Sequence, residues 1–285
     1  MKLPRTQLNA QDFSKHLTQQ LKQFGFCLLD PVDAISTVFL TQFYNRYRSF
    51  FASHEKHAFR YDHDVHDGYA SLALSEKAKG HSIKDYKEFF HYFPWGRCPD
   101  SLAQISIDLF NLLKAIAEKS LSAIEEDLPK ACLANMPLPL NKMIKGSSRT
   151  LLRIAHYPPF SEKAQANKAM RAAEHQDINL ITVQPASDIT GLECQLPDGS
   201  WQCVDTQPGS IFIGVGEMLE MCTGGLYPSV LHRVKAPQQS QHNHRIATML
   251  FLHPRSDVKL NINSQNTASN YLHKRLSELG LLAVE

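Results

Sequence analysis

The sequence predicts a mainly β protein with α, in which a β-sandwich or jelly roll follows an N-terminal helical region and precedes a C-terminal helix. Two patterns in its 285 residues support this class. Apolar residues recur at helical spacing through the first half of the chain, and from residue 151 onward they alternate at period two. Several short strands at close spacing, bounded by turn residues, are typical of a sandwich or jelly roll.

Three helices and one strand are predicted in the N-terminal region. Apolar residues four apart predict a helix over residues 13–21, and a second stripe predicts a helix over 35–50. The run GFCLL at 25–29, which lies between them, is a strand candidate. A longer stripe, preceded by Pro99, predicts a third helix over about 101–126. We interpret these stripes as packing surfaces.

The predicted strands begin at residue 151. LLRIAHY at 151–157 alternates and ends at a Pro-Pro pair, and GLECQLPDGSWQCV at 191–204 predicts a hairpin with its turn at Pro-Asp-Gly. GSIFIGVG at 209–216 and RIATMLFLHP at 245–254 are further strand candidates. TASNYLHKRLSEL at 267–279 predicts the final helix.

Composition excludes several classes of protein. A hydrophobic content of 43% and a charged content of 20% are typical of a globular chain. The net charge of +2 comes from interspersed signs, so no nucleic-acid partner is expected, and no apolar run approaches the roughly 18 residues of a membrane span. Six cysteines without a C-x-x-C pair favour reduced thiols, and we expect a cytoplasmic protein of unknown oligomeric state.

A candidate metal site lies in the β-rich half. His175 and Asp177 are two positions apart, so on a strand both side chains would project from the same face. His232, in SVLHRV, offers a third ligand after the hairpin and the 209–216 strand. Two imidazoles and one carboxylate form the facial triad of non-haem Fe(II) oxygenases, which leaves coordination positions open for substrate and dioxygen. Each residue taken alone would more often be a surface or core residue.

Arg245 is a candidate anion-binding residue. It opens the strand 245–252, where period two would place Arg245, Ala247 and Met249 on one face, toward the candidate metal ligands. A buried guanidinium is costly unless it meets an anion. The carboxylate of a co-substrate would meet it with charge-assisted hydrogen bonds.

The run from Glu174 to Pro254, EHQDINL to FLHP, closely resembles the catalytic half of the isopenicillin N synthase-like 2-oxoglutarate/Fe(II)-dependent dioxygenases. Similar features occur in QFGFCLLD, FFASHEKHAF, DGYASLALSEKAKG followed by DYKEFF, and LLRIAHYPPF, so the resemblance covers nearly the whole chain. The resemblance implies a double-stranded β-helix (jelly roll) core that binds Fe(II) through His175, Asp177 and His232. It also implies 2-oxoglutarate and dioxygen as co-substrates, with Arg245 and Tyr157 at the far carboxylate of 2-oxoglutarate.

Two positions depart from the family pattern. The arginine of the family belongs to an Arg-x-Ser pair, and Ala247 stands here in place of the serine. Ala155 stands in place of an asparagine often found two residues before the tyrosine. These departures leave open a 2-oxoglutarate-independent Fe(II) oxidase of the same fold, beside the 2-oxoglutarate-dependent enzyme. A non-catalytic binding or regulatory module is a third alternative.

The expected activity is the oxidation of a small organic molecule, by hydroxylation, desaturation or cyclisation, with release of succinate and carbon dioxide. Residues 1–285 are expected to form a single oxygenase domain, with a helix-rich region at 1–148, the jelly-roll catalytic core at 149–258 and a C-terminal segment at 259–285. The segment YDHDVHDGY at 61–69 is expected to be a solvated loop.

Overall fold

The computed structural model describes residues 3, 5–33, 35–76, 83–162, 164, 169–204, 207–236 and 242–281. The helices are α1 (Phe13–Phe24), α2 (Thr37–Ala52), α3 (Asp100–Asp127), α4 (Lys130–Asn135), α5 (Leu140–Ile144), α6 (Glu217–Cys222) and α7 (Ala268–Glu278). The strands are β1 (Arg5–Thr6), β2 (Phe26–Leu29), β3 (Gly68–Ala70), β4 (Glu88–Tyr92), β5 (Leu151–Tyr157), β6 (Ala172–His175), β7 (Ile181–Pro185), β8 (Leu192–Gln195), β9 (Trp201–Cys203), β10 (Ile211–Val215), β11 (His232–Val234) and β12 (Arg245–Leu252).

The strands form two sheets. The larger sheet has eight strands in the order β1-β2-β10-β7-β12-β5-β4-β3, and the smaller has four in the order β6-β11-β8-β9. Every pairing is antiparallel except that of β1 with β2. Neighbours in each sheet are mostly distant in sequence, which is typical of a jelly roll.

The larger sheet lies between the helices and the smaller sheet. Alternation along β12 shows this, because Ile246 and Leu250 pack in the same apolar cluster as residues of α1, α2 and α3. Ala247, on the opposite face, packs with Phe212 of β10 and with Leu192 of β8 in the smaller sheet. Each large apolar side chain that is buried on folding stabilises the fold by about 1.5–3 kcal/mol. The face between the two sheets is therefore the interior in which the candidate site lies.

The helices of the N-terminal region are close to those that the sequence predicts. The second helix begins later than predicted, since Ile35 lies before α2, whose N-cap is Ser36 with its Oγ accepting a hydrogen bond of 3.1 Å from the backbone of Phe39. Ile35 is nevertheless buried, so its place in the apolar stripe reflects packing of the preceding loop. Gly25 ends α1 in a left-handed conformation (φ 74°).

The N-terminal region contributes more strands than the sequence indicates. Besides β1 and β2, the strands β3 and β4 extend the larger sheet beyond β5. All five residues of β4 are buried, so its sequence lacks the polar alternation that marks a half-exposed strand. Within the described parts of the chain, no helix has the length and the apolar character needed to cross a membrane.

Candidate active site

His175, Asp177 and His232 meet at one end of the smaller sheet. His175 is the last residue of β6 and His232 the first of β11, and they are directly opposite each other with ring centroids 4.3 Å apart. Asp177 Oδ1 lies 3.8 Å from His232 Nε2 and 4.0 Å from His175 Nε2. One ligand atom from each residue lies within 4.8 Å of the other two, and among the described residues no other group of this kind occurs.

Asp177 reaches this position differently from the sequence expectation. It does not lie on a strand, because β6 ends at His175, where its pairing with β11 also ends. The turn after β6 carries Asp177, and the backbone N–H of Glu217, the first residue of α6, donates a 2.8 Å hydrogen bond to the Asp177 carbonyl. Gly216, which precedes Glu217, lets the two backbone segments approach each other closely, because an added Cβ at Gly216 would lie 2.2 Å from the Asn179 carbonyl oxygen.

Hydrogen bonds orient all three side chains. His175 Nδ1 lies 2.7 Å from the carbonyl of Ala173, and His232 Nδ1 lies 3.1 Å from the carbonyl of Val230. A carbonyl only accepts, so each Nδ1 carries the proton and each Nε2 lone pair faces the centre of the group. Thr182 Oγ1 donates a 2.5 Å hydrogen bond to Asp177 Oδ2, which leaves Oδ1 directed at the imidazoles.

The charge state of the group suits a divalent metal. Burial and then the facing His232 lower the pKa of His175 to about 4, so its imidazole is neutral near pH 7. Burial alone would raise the pKa of Asp177, but the two imidazoles and the Thr182 hydroxyl outweigh it and lower this pKa. Two imidazoles that each present Nε2 and one carboxylate are a donor set that fits Fe(II).

Arg245 lies at the far end of a narrow cleft that begins at these three residues. It is only 1% exposed. Its Nε donates a 2.9 Å hydrogen bond to the Ile189 carbonyl, and its Nη2 donates one of 3.0 Å to Ser187 Oγ. Its Nη1 is buried and has no hydrogen-bond partner among the described residues. An anion in the cleft would satisfy this N–H donor, as the carboxylate of a co-substrate would.

Tyr157 lies beside Arg245, as the resemblance implies. The two residues are cross-strand partners on β5 and β12, and the guanidinium carbon lies 5.0 Å from the centre of the Tyr157 ring. Tyr157 is 1% exposed and lines the cleft.

Ala155 and Ala247, the two departures from the family pattern, are also cross-strand partners, next to the Tyr157–Arg245 pair. Their small side chains therefore form one apolar patch beside Arg245. The hydroxyl that Arg245 contacts comes instead from Ser187, which follows β7 in the chain. The sequence analysis missed Ser187 because it lies outside any periodic segment, 58 residues from Arg245.

A second buried arginine, Arg171, was also missed. It is fully buried immediately before β6, and its Nη2 donates a 3.0 Å hydrogen bond to the Asn243 carbonyl. Burial and then the charge of Arg245 lower the pKa of Arg171 to about 10. Arg171 therefore adds positive potential at the Arg245 end of the cleft.

A larger cavity of about 330 Å³ is also lined by His175 and Asp177. Leu151, Phe251 and Phe93 form an apolar part of its wall, and α7 contributes Leu272 and Leu276. Its volume falls at the lower end of the roughly 300–1,000 Å³ typical of small-molecule sites.

The segment 61–69, expected to be a solvated loop, is so only in part: Asp64 and Val65 are exposed, whereas Gly68 and Tyr69 belong to β3 and are buried. Tyr61 and Asp67 are buried, and Tyr61 lines the cavity together with His66. Asp67 forms an ion pair with Arg97 at 2.5 Å. The two residues are 30 positions apart, so the sequence of this segment alone does not indicate the contact.

Comparison with known proteins agrees with this geometry. Residues 148–254 match the model of the 2OG-Fe(II) oxygenase superfamily. A crystal structure from Shewanella oneidensis, described provisionally as an oxygenase, is 37% identical with a TM-score of 0.85 over 99% of this chain and 100% of that chain. A protein of Caulobacter crescentus, assigned provisionally to the 2OG-Fe(II) oxygenase family, is 27% identical with a TM-score of 0.78 over 97% and 99% of the two chains.

Curated relatives match over shorter stretches. Gibberellin 2-beta-dioxygenase 2 of Arabidopsis thaliana is 33% identical over 127 residues, which are 44% of this chain and 36% of the relative. Gibberellin 3-beta-dioxygenase 1 of the same plant is 27% identical over 183 residues, 64% of this chain and 47% of the relative. The chain therefore matches less than half the length of these two curated proteins. A Neurospora crassa protein in complex with alpha-KG, 20% identical with a TM-score of 0.72 over 93% and 90% of the two chains, shows the shared fold alone.

Proposed function

Because the chain belongs to the 2OG-Fe(II) oxygenase superfamily, we propose that it is a non-haem Fe(II), 2-oxoglutarate-dependent oxygenase that oxidises a small organic molecule. His175, Asp177 and His232 would hold the iron. When bound, Fe(II) supplies the activation of dioxygen that couples oxidative decarboxylation of 2-oxoglutarate, to succinate and carbon dioxide, with hydroxylation, desaturation or cyclisation of the substrate.

One observation carries this proposal. Two imidazole nitrogens and a carboxylate oxygen lie within 4.8 Å of one another where the cleft meets the larger cavity. The Nδ1 protons of both imidazoles point away from this group, toward backbone carbonyls. Co-substrate and substrate would thus approach the metal from different sides.

The cleft supports 2-oxoglutarate as the co-substrate. Arg245 would bind the far carboxylate through Nη1, which has no partner among the described residues, and Tyr157 would pack beside it. A hydrogen bond to a charged group contributes about 1.5–3 kcal/mol. The fixed contacts of Nε and Nη2 with Ile189 and Ser187 keep the guanidinium in place, so little conformational entropy is lost on binding.

The residues of the larger cavity would position the substrate and exclude water. Leu151 and Phe251 are cross-strand partners on β5 and β12, so their side chains form a rigid apolar wall. Such a wall holds a C–H bond near the metal and keeps solvent from it.

A second candidate, a 2-oxoglutarate-independent Fe(II) oxidase of the same fold, is favoured by the apolar Ala155–Ala247 pair beside Arg245. The Nη1 of Arg245, which has no partner within the described segments, weighs against it, because a buried cationic donor requires an acceptor.

We further propose that residues 1–285 form one oxygenase domain, because β1–β4 of the N-terminal region pair in the same sheet as β5, β7, β10 and β12. Its three segments would be 1–148, 149–258 and 259–285. A cytoplasmic location is supported by the six cysteines, all in the described part of the chain, none of which forms a disulfide.

A succinate assay tests the proposal. Purified protein is incubated with Fe(II), ascorbate and 2-oxoglutarate in air, with and without candidate substrates. We expect succinate from the unaltered protein and its loss in His232→Ala, whereas the control His16→Ala, an exposed histidine on α1, retains it. Substrate oxidation without 2-oxoglutarate would favour the oxidase, and absence of both iron binding and turnover would favour a non-catalytic module.

A further inference from the structure

Apart from the proposed metal ligand Asp177, the charges that line the larger cavity are paired, with one exception among the described residues. Arg153 contacts Glu76 at 2.7 Å, and Arg275 contacts Glu217 at 2.9 Å. Two further carboxylates of the wall also have partners, since Glu174 contacts Arg233 and Asp85 contacts Lys87, each at 2.9 Å.

Arg149 is the exception. Its guanidinium lines the cavity, and no described residue forms an ion pair or a hydrogen bond with that group. Arg149 is partly exposed, so its side chain borders both the cavity and the solvent. The cavity therefore has one positive charge that the described part of its wall does not neutralise.

His253 lies beside Arg149 and has an unused polar atom. It is 5% exposed, lines the same cavity, and its Nδ1 has no hydrogen-bond partner among the described residues. The backbone N–H of His253 donates a 3.3 Å hydrogen bond to Thr150 Oγ1, next to Arg149 in the chain. Burial and then the charge of Arg149 lower the pKa of His253 to about 4, so its imidazole is neutral at physiological pH.

Arg149 and His253 lie beyond the same end of the β5–β12 pairing, because Arg149 precedes Leu151 and His253 follows its partner Phe251. Arg149, Leu151 and Arg153 all line the cavity; Leu151 and Arg153 share one face of β5, and Arg149 lies two residues before that strand begins. Leu151 and its partner Phe251 lie between the two arginines. The wall of the cavity thus has the charge of Arg149 next to the apolar pair Leu151–Phe251, and His175 and Asp177 line the same cavity.

We infer that the substrate is a small organic acid: its carboxylate binds the Arg149 guanidinium beside His253, and its apolar body lies along Leu151 and Phe251 toward His175 and Asp177. This inference rests on the proposed function, because it assigns the larger cavity to the substrate. Arg149 is a specificity-determining residue, and His253 would add a hydrogen bond from its free Nδ1.

Calorimetric titration of the protein loaded with Mn(II) and 2-oxoglutarate, without oxygen, tests the inference. The probes are phenylacetate, 3-phenylpropionate and 4-phenylbutyrate, each compared with its own amide. We expect at least one acid to bind about tenfold or more tightly than its amide, as for a charge-assisted hydrogen bond. Arg149→Gln should remove that difference and leave the amide affinity unchanged, and Arg149→Lys should keep part of it.

Lys145→Gln is the matched control, because it removes one exposed positive charge that does not line the cavity. It should leave the preference for the acid intact. If no acid binds more tightly than its amide, or if Arg149→Gln keeps the preference, the inference is overturned.

The same titrations are repeated without Mn(II) and 2-oxoglutarate, and a thermal scan shows whether each variant is folded. Binding of an acid through Arg149 in a protein that makes no succinate would contradict the proposed function alone. Succinate formation in a protein that prefers no acid would contradict the present inference alone.

Discussion

Ala247 is the residue whose replacement most directly tests the role of Arg245. It lies in the cleft on the same face of β12 as Arg245 and is 1% exposed. Ala247→Ser would place a hydroxyl beside the carboxylate that Arg245 is proposed to bind. We expect 2-oxoglutarate to bind more tightly by about 1.5–3 kcal/mol, which is about tenfold or more in the dissociation constant. Titration of the Mn(II) protein with 2-oxoglutarate measures this change, and an unchanged affinity would remove the carboxylate-binding role of Arg245.

Thr182 tests how the carboxylate ligand is oriented. Thr182→Val is nearly isosteric and removes the hydroxyl that donates to Asp177 Oδ2. Loss of such an orienting partner typically weakens metal affinity about 10–100-fold. Thr248→Val is a matched control, because this buried hydroxyl on β12 donates to the Arg153 carbonyl and does not contact a proposed ligand. Mn(II) titration of both variants should show weaker binding only for Thr182→Val, and equal affinities would contradict the assigned orientation.

Among the elements, an ion network ties the two sheets together. Glu76 contacts Arg153 of β5 in the larger sheet, and both Glu76 and Asp85 contact Lys87. Asp85 also accepts a 2.9 Å hydrogen bond from the backbone of Ala173 in β6, which belongs to the smaller sheet. The network therefore stabilises the relative position of the strands that carry His175 and the cavity wall.

Replacement of Glu76 should destabilise the fold in a pH-dependent way. Burial alone would raise the pKa of Glu76, but the charges of Arg153 and Lys87 hold it well below its ordinary value. The ionised Glu76 carboxylate therefore stabilises the fold fully above about pH 4.3, the ordinary pKa of a glutamate in an unfolded chain. This stabilisation declines as the pH falls below that value. We expect Glu76→Gln to lower the free energy of unfolding by about 3–5 kcal/mol at pH 7, and by less at a pH of about 3.5.

Urea unfolding at the two pH values measures this difference. Glu118→Gln is the control, since Glu118 forms an exposed pair with Lys114 on α3 and should cost no more than about 0.5 kcal/mol. Equal losses for the two variants, or a loss that does not depend on pH, would contradict the assigned network.

Elements with strong periodicity could be predicted from the sequence, and those without it could not. The helix predicted over about 101–126 is α3 (Asp100–Asp127), and the predicted hairpin is β8 and β9. In contrast, β3 and β4 were missed, because β4 is buried on both faces and its sequence shows no alternation. Asp177 was assigned to a strand because two-residue spacing from His175 suggests one, whereas it lies in the turn that α6 holds.

For the whole molecule, the predicted 2-oxoglutarate/Fe(II) oxygenase superfamily and the jelly-roll fold class are confirmed, and iron, 2-oxoglutarate and dioxygen belong to the chemistry of that superfamily, whereas the activity of this chain is a proposal. The assignment of His175, Asp177, His232, Arg245 and Tyr157 to their roles remains a proposal. Their proximity could be foreseen because their spacing matches the family pattern, although Asp177 lies in a turn and not on a strand. The contact of Ser187 with Arg245 could not, because it depends on how loops distant in sequence pack against each other.

An anaerobic titration of the Fe(II)-loaded protein with 2-oxoglutarate tests the central claim most directly. Chelation of the ferrous ion by the keto acid produces a visible charge-transfer band that neither component shows alone. We expect this band in the unaltered protein and in His16→Ala, its loss in Asp177→Ala, and a shift to higher 2-oxoglutarate concentrations in Arg245→Gln. Absence of the band in the unaltered protein, or a band of full intensity in Asp177→Ala, would contradict the account.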